Sequence, residues 1–104
     1  MNRVIIELWL WLGNELQGDF ESPSLMRSFR EEKIEEGTNI RQLLDLLARR
    51  YPPLARVVFD LEAQRLHPYV VLNYNGSVIS PYVVYDQVLQ DGDKITVLPM
   101  YMGG

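Results

Sequence analysis

One helical signal dominates this chain and limits the fold that it can adopt. The stretch EGTNIRQLLDLLARRYPP, residues 36–53, places apolar side chains at helical spacing. Thr38 or Asn39 is a candidate N-cap, and Pro52 with Pro53 is predicted to end the helix. A helix with one apolar face needs a second layer against that face, and the rest of the chain must supply it. The apolar residues of the stripe are Ile40, Leu43, Leu44, Leu47 and Tyr51.

The segments on either side of this helix carry strand signals. Between Arg3 and Leu12, every second residue is an aliphatic one, Val4 to Leu12, and this two-residue period predicts a strand. The turn-rich connection from Gly13 to Ser24 is long for a hairpin, and a second strand is predicted within Met26 to Ile34, antiparallel to the first. The predicted core face of the first strand holds Val4, Ile6, Leu8, Leu10 and Leu12, and the other face holds Ile5, Glu7, Trp9 and Trp11.

After the helix, the sequence predicts a hairpin and a final strand. Asn75-Gly76 within HPYVVLNYNGSVI is typical of a tight hairpin turn, and Asp91-Gly92 indicates a second turn before a strand from Lys94 to Leu98. Residues 54–60 are predicted to form a short irregular turn, and residues 80–89 a short helical or irregular crossover. These elements predict an α+β two-layer fold, in which one main helix packs across a mixed sheet of four to five strands.

Composition excludes several classes of function. The chain has 104 residues, which suits one domain, and a net charge of −4 without a basic cluster, which argues against a nucleic-acid partner. It has no cysteine, which excludes a disulfide scaffold, a thiolate metal site and a thiol nucleophile. No apolar run approaches the roughly 20 residues that span a bilayer, so we expect no membrane partner and a cytoplasmic location.

No conventional catalytic or metal site is predicted. His67 is the only histidine and lies beside Pro68, so a surface or edge position is favoured over a ligand or general base. Gly13 and Gly18 do not form a phosphate-binding pattern. The acidic run Glu31, Glu32, Glu35 and Glu36 favours a solvated edge, because it lacks the alternating loop ligands of a cation site.

Two tryptophans are candidates for partner recognition. The alternation places Trp9 and Trp11 with Ile5 on the face opposite the leucines. Exposed aromatic clusters mark docking surfaces, so the three residues form a candidate patch for a partner. The alternative is that the Gly13–Ser24 connection folds over both rings and makes them part of a core.

The segment PMYMGG, residues 99–104, follows the last predicted strand directly. We expect it to be a flexible C-terminal tail on a domain of residues 1–98, since Pro99 interrupts a strand's hydrogen-bond ladder. Gly103 and Gly104 carry no side chain, so a narrow pocket of another protein could admit the terminal carboxylate. Such an end suits a substrate of another enzyme, with Pro99, Met100, Tyr101 and Met102 as the segment that enters the partner.

Taken with these motifs, the chain resembles the ubiquitin-like sulfur carriers of the β-grasp fold (the MoaD/ThiS-like group). This family includes the small subunit of molybdopterin synthase and the sulfur carrier of the thiamine pathway. The resemblance lies in GTNIRQLLDLLARRYP, in VVLNYNGSVI and above all in LQDGDKITVLPMYMGG, which fixes turn, strand, proline and diglycine at one spacing.

The resemblance implies that this chain is a carrier and substrate rather than an enzyme. By resemblance, a ubiquitin-activating-type adenylating enzyme uses ATP to adenylate Gly104, and a sulfur donor such as a desulfurase or rhodanese then converts it to a thiocarboxylate. Within the family the chain most resembles the small subunit of molybdopterin synthase, which implies a role in molybdopterin biosynthesis. The implied sulfur acceptor is the large subunit of molybdopterin synthase or an equivalent protein, with no cofactor or metal bound to this chain. Three alternatives stay open: a modifier joined to lysines through Gly104, a carrier for thiamine or another thio-product, and a binding subunit whose tail is only structural.

Overall fold

The structure, a computed structural model, describes residues 1–16, 18–79 and 84–100 of the chain. Within these ranges, seven strands and two helices follow one another along the sequence. They are β1 (Asn2–Trp9), β2 (Arg27–Ile34), α1 (Ile40–Arg50), α2 (Pro52–Val57), β3 (Phe59–Asp60), β4 (Arg65–Leu66), β5 (Val70–Tyr74), β6 (Ser77–Val78) and β7 (Lys94–Pro99).

Five strands form one mixed sheet in the order β2-β1-β7-β5-β6. Strand β1 is antiparallel to β2 and parallel to β7, with Ile6 opposite Ile95, and β7 is antiparallel to β5. The two-residue strands β3 and β4 form a separate antiparallel pair that the sequence pattern did not predict. The arrangement confirms the predicted two-layer α+β architecture, with β7 at the centre of the sheet.

Helix α1 begins where its capping residues predict. The side chain of Asn39 accepts a hydrogen bond from the backbone N–H of Gln42, and the side chain of Gln42 accepts one from the backbone of Asn39. The predicted apolar stripe is buried throughout. The two prolines do not simply stop the helix, because Pro52 opens α2, where a proline in the first turn loses no intrahelical hydrogen bond. The segment predicted as an irregular turn is therefore helix α2 followed by β3.

The connection from Gly13 to Ser24 is part of the core. Its side chains Leu16 and Phe20 are buried together with the preceding Leu12. Glu21 and Phe29 exchange two backbone hydrogen bonds, of 2.9 and 2.8 Å, which fasten the connection to the outer edge of β2. The connection leaves Trp11 exposed, so it does not fold over both tryptophans as the alternative expected.

Both predicted tight turns are present. Asn75 and Gly76 have φ values of 51° and 90°, which suit the right-handed twist of the β5–β6 hairpin. The Asp91-Gly92 turn docks onto the start of β1, because the Gly92 N–H donates to the Arg3 carbonyl and the Arg3 N–H to the Asp91 carboxylate. Residues 80–83 of the predicted crossover lie outside the described residues, and Val84 and Leu89 beyond them are buried. Neither α1 nor α2, the helices of the described ranges, has the length and apolar character to cross a membrane.

Candidate functional site

The C-terminal end of β7 is the base from which the predicted tail begins. The strand runs to Pro99, one residue past its predicted end, and Pro99 is buried opposite Val70 of β5. The next residue, Met100, donates its backbone N–H to the Tyr69 carbonyl at 2.9 Å and is half exposed. Residues Tyr101, Met102, Gly103 and Gly104 lie outside the described residues.

The proline is tolerated in this central strand because of where its nitrogen faces. The Met100 N–H faces β5, where it donates to the Tyr69 carbonyl. Because successive residues of a strand direct their backbone groups to opposite neighbours, the nitrogen of Pro99 faces β1. There the parallel pairing of β1 with β7 has already ended at Leu8 and Val97. Pro99 therefore lies just beyond the last paired residues of β1 and β7, a position at which a strand tolerates the missing N–H.

An apolar groove of about 600 Å³ lies beside this base. Three of its residues are strongly exposed: Trp11 at 60%, Tyr69 at 52% and Met100 at 50%. Exposed apolar side chains that cluster in this way are typical of a protein-binding surface. The groove is lined by Leu10, Trp11, Val57, Pro68, Tyr69, Val70, Pro99 and Met100.

Trp11 reaches this groove through an unusual backbone conformation. Its φ is 60°, in the left-handed region that few residues other than glycine and asparagine adopt. Its backbone N–H donates to the Met26 carbonyl. This conformation ends the alternation of β1 at Trp9. The predicted grouping of Trp11 with Ile5 and Trp9 on one face is therefore wrong, because Trp11 lies at the end of the sheet beside Leu10 and Pro99.

Ile5 and Trp9 lie on the face of the sheet opposite α1, here called the open face. Between them on β1, Glu7 is only 5% exposed. Its carboxylate accepts hydrogen bonds from the Trp9 indole Nε1 at 2.5 Å and from Arg27 Nη2 at 3.0 Å, and it lies 3.2 Å from Lys94 Nζ. The Arg27 guanidinium also lies 5.7 Å from the centre of the Trp9 ring and 5.4 Å from that of Phe29.

These contacts determine the charge state of Glu7. Burial raises the pKa of Glu7, but the hydrogen bonds from Arg27, Trp9 and Lys94 together outweigh it, and the pKa lies below its ordinary value. The hydrogen bond between Arg27 and Glu7 also raises the pKa of Arg27 above its ordinary value. Sequence reasoning missed this cluster. The available signal was an acidic residue inside an apolar first strand, which has to be paired if it is buried.

The remaining candidates are structural or lie outside the described part of the chain. The ring of His67 is hydrogen-bonded through Nε2 to the Ala55 carbonyl at 2.8 Å and stacks on Tyr69. In residues 1–16, 18–79 and 84–100, no three His, Asp or Glu side chains come together as a metal site would require.

Comparison with known proteins decides the family. The model of the ThiS family matches residues 24–104, from the end of the core connection through Gly104. The chain belongs to the ThiS family. This match confirms the resemblance to ubiquitin-like sulfur carriers. No curated protein matches the chain significantly.

Solved structures confirm the β-grasp, ubiquitin-like fold of this ThiS-family chain. Small archaeal modifier protein 1 from Haloferax volcanii is 15% identical with a TM-score of 0.69, and 95% of this chain and 98% of that chain are covered. The solution structure of Urm1 from Trypanosoma brucei is 19% identical, with a TM-score of 0.69 and coverage of 99% and 96%. A putative molybdopterin converting factor, subunit 1, from Pyrococcus furiosus is 21% identical, with a TM-score of 0.65 and coverage of 95% and 98%.

Proposed function

We propose that this ThiS-family chain carries sulfur as a thiocarboxylate on Gly104. The observation that carries the proposal is the family match, which extends through the Gly103-Gly104 segment. In the first step, the Gly104 carboxylate attacks the α-phosphate of ATP on a ubiquitin-activating-type enzyme, which forms an acyl adenylate and releases pyrophosphate. A persulfide sulfur of the donor then attacks the carbonyl carbon and AMP leaves. A thiol reduces the resulting acyl disulfide and frees the thiocarboxylate.

The position of β7 supports this role. A buried Pro99 on the central strand gives residues 100–104 a rigid starting point. Five residues reach at most roughly 17 Å when fully extended, so the partner has to approach the end of the sheet closely. The apolar groove around Trp11, Tyr69 and Met100 lies at this place and offers the contact area for such an approach.

We further propose that the acceptor is the large subunit of a molybdopterin synthase or an equivalent protein. The support is the fold shared with the Pyrococcus furiosus protein, whose name refers to molybdopterin conversion. Transfer of sulfur to thiamine or another thio-product uses the same activated terminus, so the acceptor is decided by the docking surface rather than by the tail chemistry.

Conjugation to proteins is the second candidate function. It is favoured by the fold shared with small archaeal modifier protein 1, a protein named as a modifier. Adenylation of Gly104 is common to both functions, and they differ in whether sulfur or a lysine amine attacks the activated carbonyl.

The test is the intact mass of the chain after incubation with its activating enzyme, a sulfur donor and ATP. We expect a gain that matches one oxygen replaced by sulfur, located at Gly104 by fragmentation. The controls omit ATP or use a chain without Gly103 and Gly104. Isopeptide adducts on lysines in place of a sulfur gain would favour the modifier, and an unchanged terminus with an active enzyme would overturn both functions.

A further inference from the structure

The open face of the sheet contains a nearly buried carboxylate at its centre. Register places Glu7 of β1 between Phe29 of β2 and Thr96 of β7, and Thr96 lies opposite Asn73 of β5. A carboxylate that loses water is stable only when it is paired and hydrogen-bonded. Glu7 achieves this on a face that no helix of the described residues covers, which indicates a role beyond packing.

Two of the three partners of Glu7, Trp9 and Arg27, are side chains suited to recognition. The indole of Trp9 is held by its hydrogen bond to Glu7, and the guanidinium of Arg27 is held between Glu7 and the rings of Trp9 and Phe29. Tryptophan and arginine are the residues most often found at the centre of binding surfaces. A side chain that is already fixed loses less conformational entropy when a partner binds.

The charge of this cluster indicates the chemistry of the partner. Glu7 is a single carboxylate against the two cations Arg27 and Lys94, so the cluster has a surplus of one positive charge, within a chain of net charge −4. The side chains of Arg27 and Lys94 are 39% and 46% exposed, which leaves their remaining donors accessible. At the β2 edge of the same face the acids Glu21 and Glu31 are accompanied by the cations Arg3 and Lys33, and Glu31 Oε1 lies 3.8 Å from Arg3 Nε. A partner's carboxylate is therefore attracted to the centre of the face by the surplus charge of Arg27 and Lys94.

Unpaired polar atoms lie on the same face. In the part of the chain that the structure describes, the buried side-chain atoms without a hydrogen-bond partner are Arg27 Nε and Asn73 Oδ1. Buried polar atoms nearly always have a partner in a native structure. Arg27 Nε is a donor on an open-face side chain, so a small side-chain movement on binding would let a partner's carboxylate accept from it, whereas Asn73 Oδ1 is an acceptor and needs a donor.

We propose that the open face binds an acidic side chain of the activating enzyme and that Glu7 is the positioning residue that holds Trp9 and Arg27 for it. This inference rests on the proposed function, because it assumes that the chain meets an adenylating enzyme. It adds to that function the surface used, the chemistry of the contact and the residue that organises it.

The experiment compares Glu7→Gln with Glu31→Gln in binding to the adenylating enzyme encoded by the same genome, without ATP. Glutamine keeps the size of the side chain but removes its charge, and Arg27 and Lys94 remain partly solvated. Glu7→Gln should therefore fold. We expect binding at least about 10-fold weaker for Glu7→Gln, because the loss of the fixed Trp9 and Arg27 side chains outweighs the added positive charge. For Glu31→Gln, which lies on the same face but is exposed, we expect a change of less than about twofold. Equal affinities of wild type and Glu7→Gln, or equal losses in both variants, would overturn the inference.

A spectroscopic readout separates positioning from a general structural effect. In the isolated protein, Glu7→Gln should shift the indole N–H resonance of Trp9 strongly and leave that of Trp11 in place. An unchanged Trp9 resonance would also overturn the inference. If the wild-type chain gains sulfur but Glu7→Gln binds normally, only the docking inference fails. If the wild-type chain never gains sulfur, the proposed carrier function fails, whatever the binding data show.

Discussion

The ring of Phe20 meets the ring of Tyr51 edge-on, with centroids 5.2 Å apart and an interplanar angle of 80°. Phe20 belongs to the connection after β1, and Tyr51 lies between the two helices. Edge-to-face pairs add to the free energy gained from apolar burial. The contact therefore joins the Gly13–Ser24 connection to the end of α1 and makes this connection a structural element of the domain.

Replacing Phe20 by alanine should destabilise the domain by about 3–5 kcal/mol, because the change removes a buried ring and leaves a cavity. The free energy of unfolding from denaturant titration measures the loss. Leu25→Ala, at an exposed apolar residue just beyond the same connection, is the matched control and should change stability by less than about 0.5 kcal/mol. A small effect of Phe20→Ala would show that the connection is dispensable for stability.

Trp11→Ala should weaken partner binding much more than it destabilises the fold. The side chain is 60% exposed and lines the groove beside Pro99, so truncation removes contact surface and few core contacts. We expect about 10-fold weaker binding to the activating enzyme and a stability change within about 0.5 kcal/mol. Leu46→Ala, an exposed leucine on α1, is the control for loss of apolar surface elsewhere. Unfolding of Trp11→Ala would instead place the ring in the core.

Deletion of Gly103 and Gly104 should abolish the ATP-dependent mass gain and leave thermal stability unchanged. Neither glycine has a side chain that could join the core, and the terminal carboxylate is the proposed reacting group. Mass spectrometry and the unfolding midpoint of the same samples test both parts. A large drop in the midpoint would contradict the separation of tail chemistry from domain stability.

The stabilising contribution of the Glu7 carboxylate should be lost in acid. Its pKa in the folded protein lies below the ordinary value, so the folded state binds fewer protons than the unfolded state. Its contribution to stability is present above the unfolded pKa and is lost as the pH falls through the folded pKa. Wild type should therefore lose stability more steeply than Glu7→Gln between about pH 5 and about pH 2. Urea titrations at several pH values measure both slopes, and parallel slopes would contradict the assignment.

The hydroxyl of Tyr74 should ionise at a higher pH than an ordinary tyrosine. Burial and its hydrogen bond to Asp93 raise the pKa of Tyr74 from 10.0 to about 12. The resulting stability is present below the unfolded pKa of 10.0 and is lost as the pH rises through about 12. The phenolate absorbance of wild type minus that of Tyr74→Phe isolates this titration from the other tyrosines. Asp93→Asn should move the isolated titration to lower pH, and an unmoved curve would show that Asp93 is not a cause.

Features set by local chemistry were predictable from the sequence. The Asn39 cap, the stripe of α1 and the Asn75-Gly76 turn depend on neighbouring residues, and all three are present. The two-residue strands β3 and β4 were not predictable, because two residues show no period. Phe20 gave no signal either, since its burial arises in a segment of turn residues without regular alternation.

The candidate site was predictable only in part. The alternation of β1 placed Glu7 and Trp9 on the open face, and the structure agrees. The burial of Glu7 depends on Arg27 and Lys94, which are distant in sequence and come from the two neighbouring strands. Trp11 left the predicted face because of one left-handed backbone angle, and a tryptophan gives no advance indication of such a conformation.

The parallel pairing of β1 with β7 has a consequence for how the protein is made. Strand β1 is translated well before its neighbour β7, with β2, both helices and β5 between them, so the sheet cannot close until translation has passed β7. Such distant pairing also slows folding, since a long loop has to close before the contacts form. Until then, the edge of β1 that faces β7 has no partner strand, and the base of the tail at Pro99 has not formed. A partner that recognises the groove beside Pro99 can therefore bind only after β7 has been made.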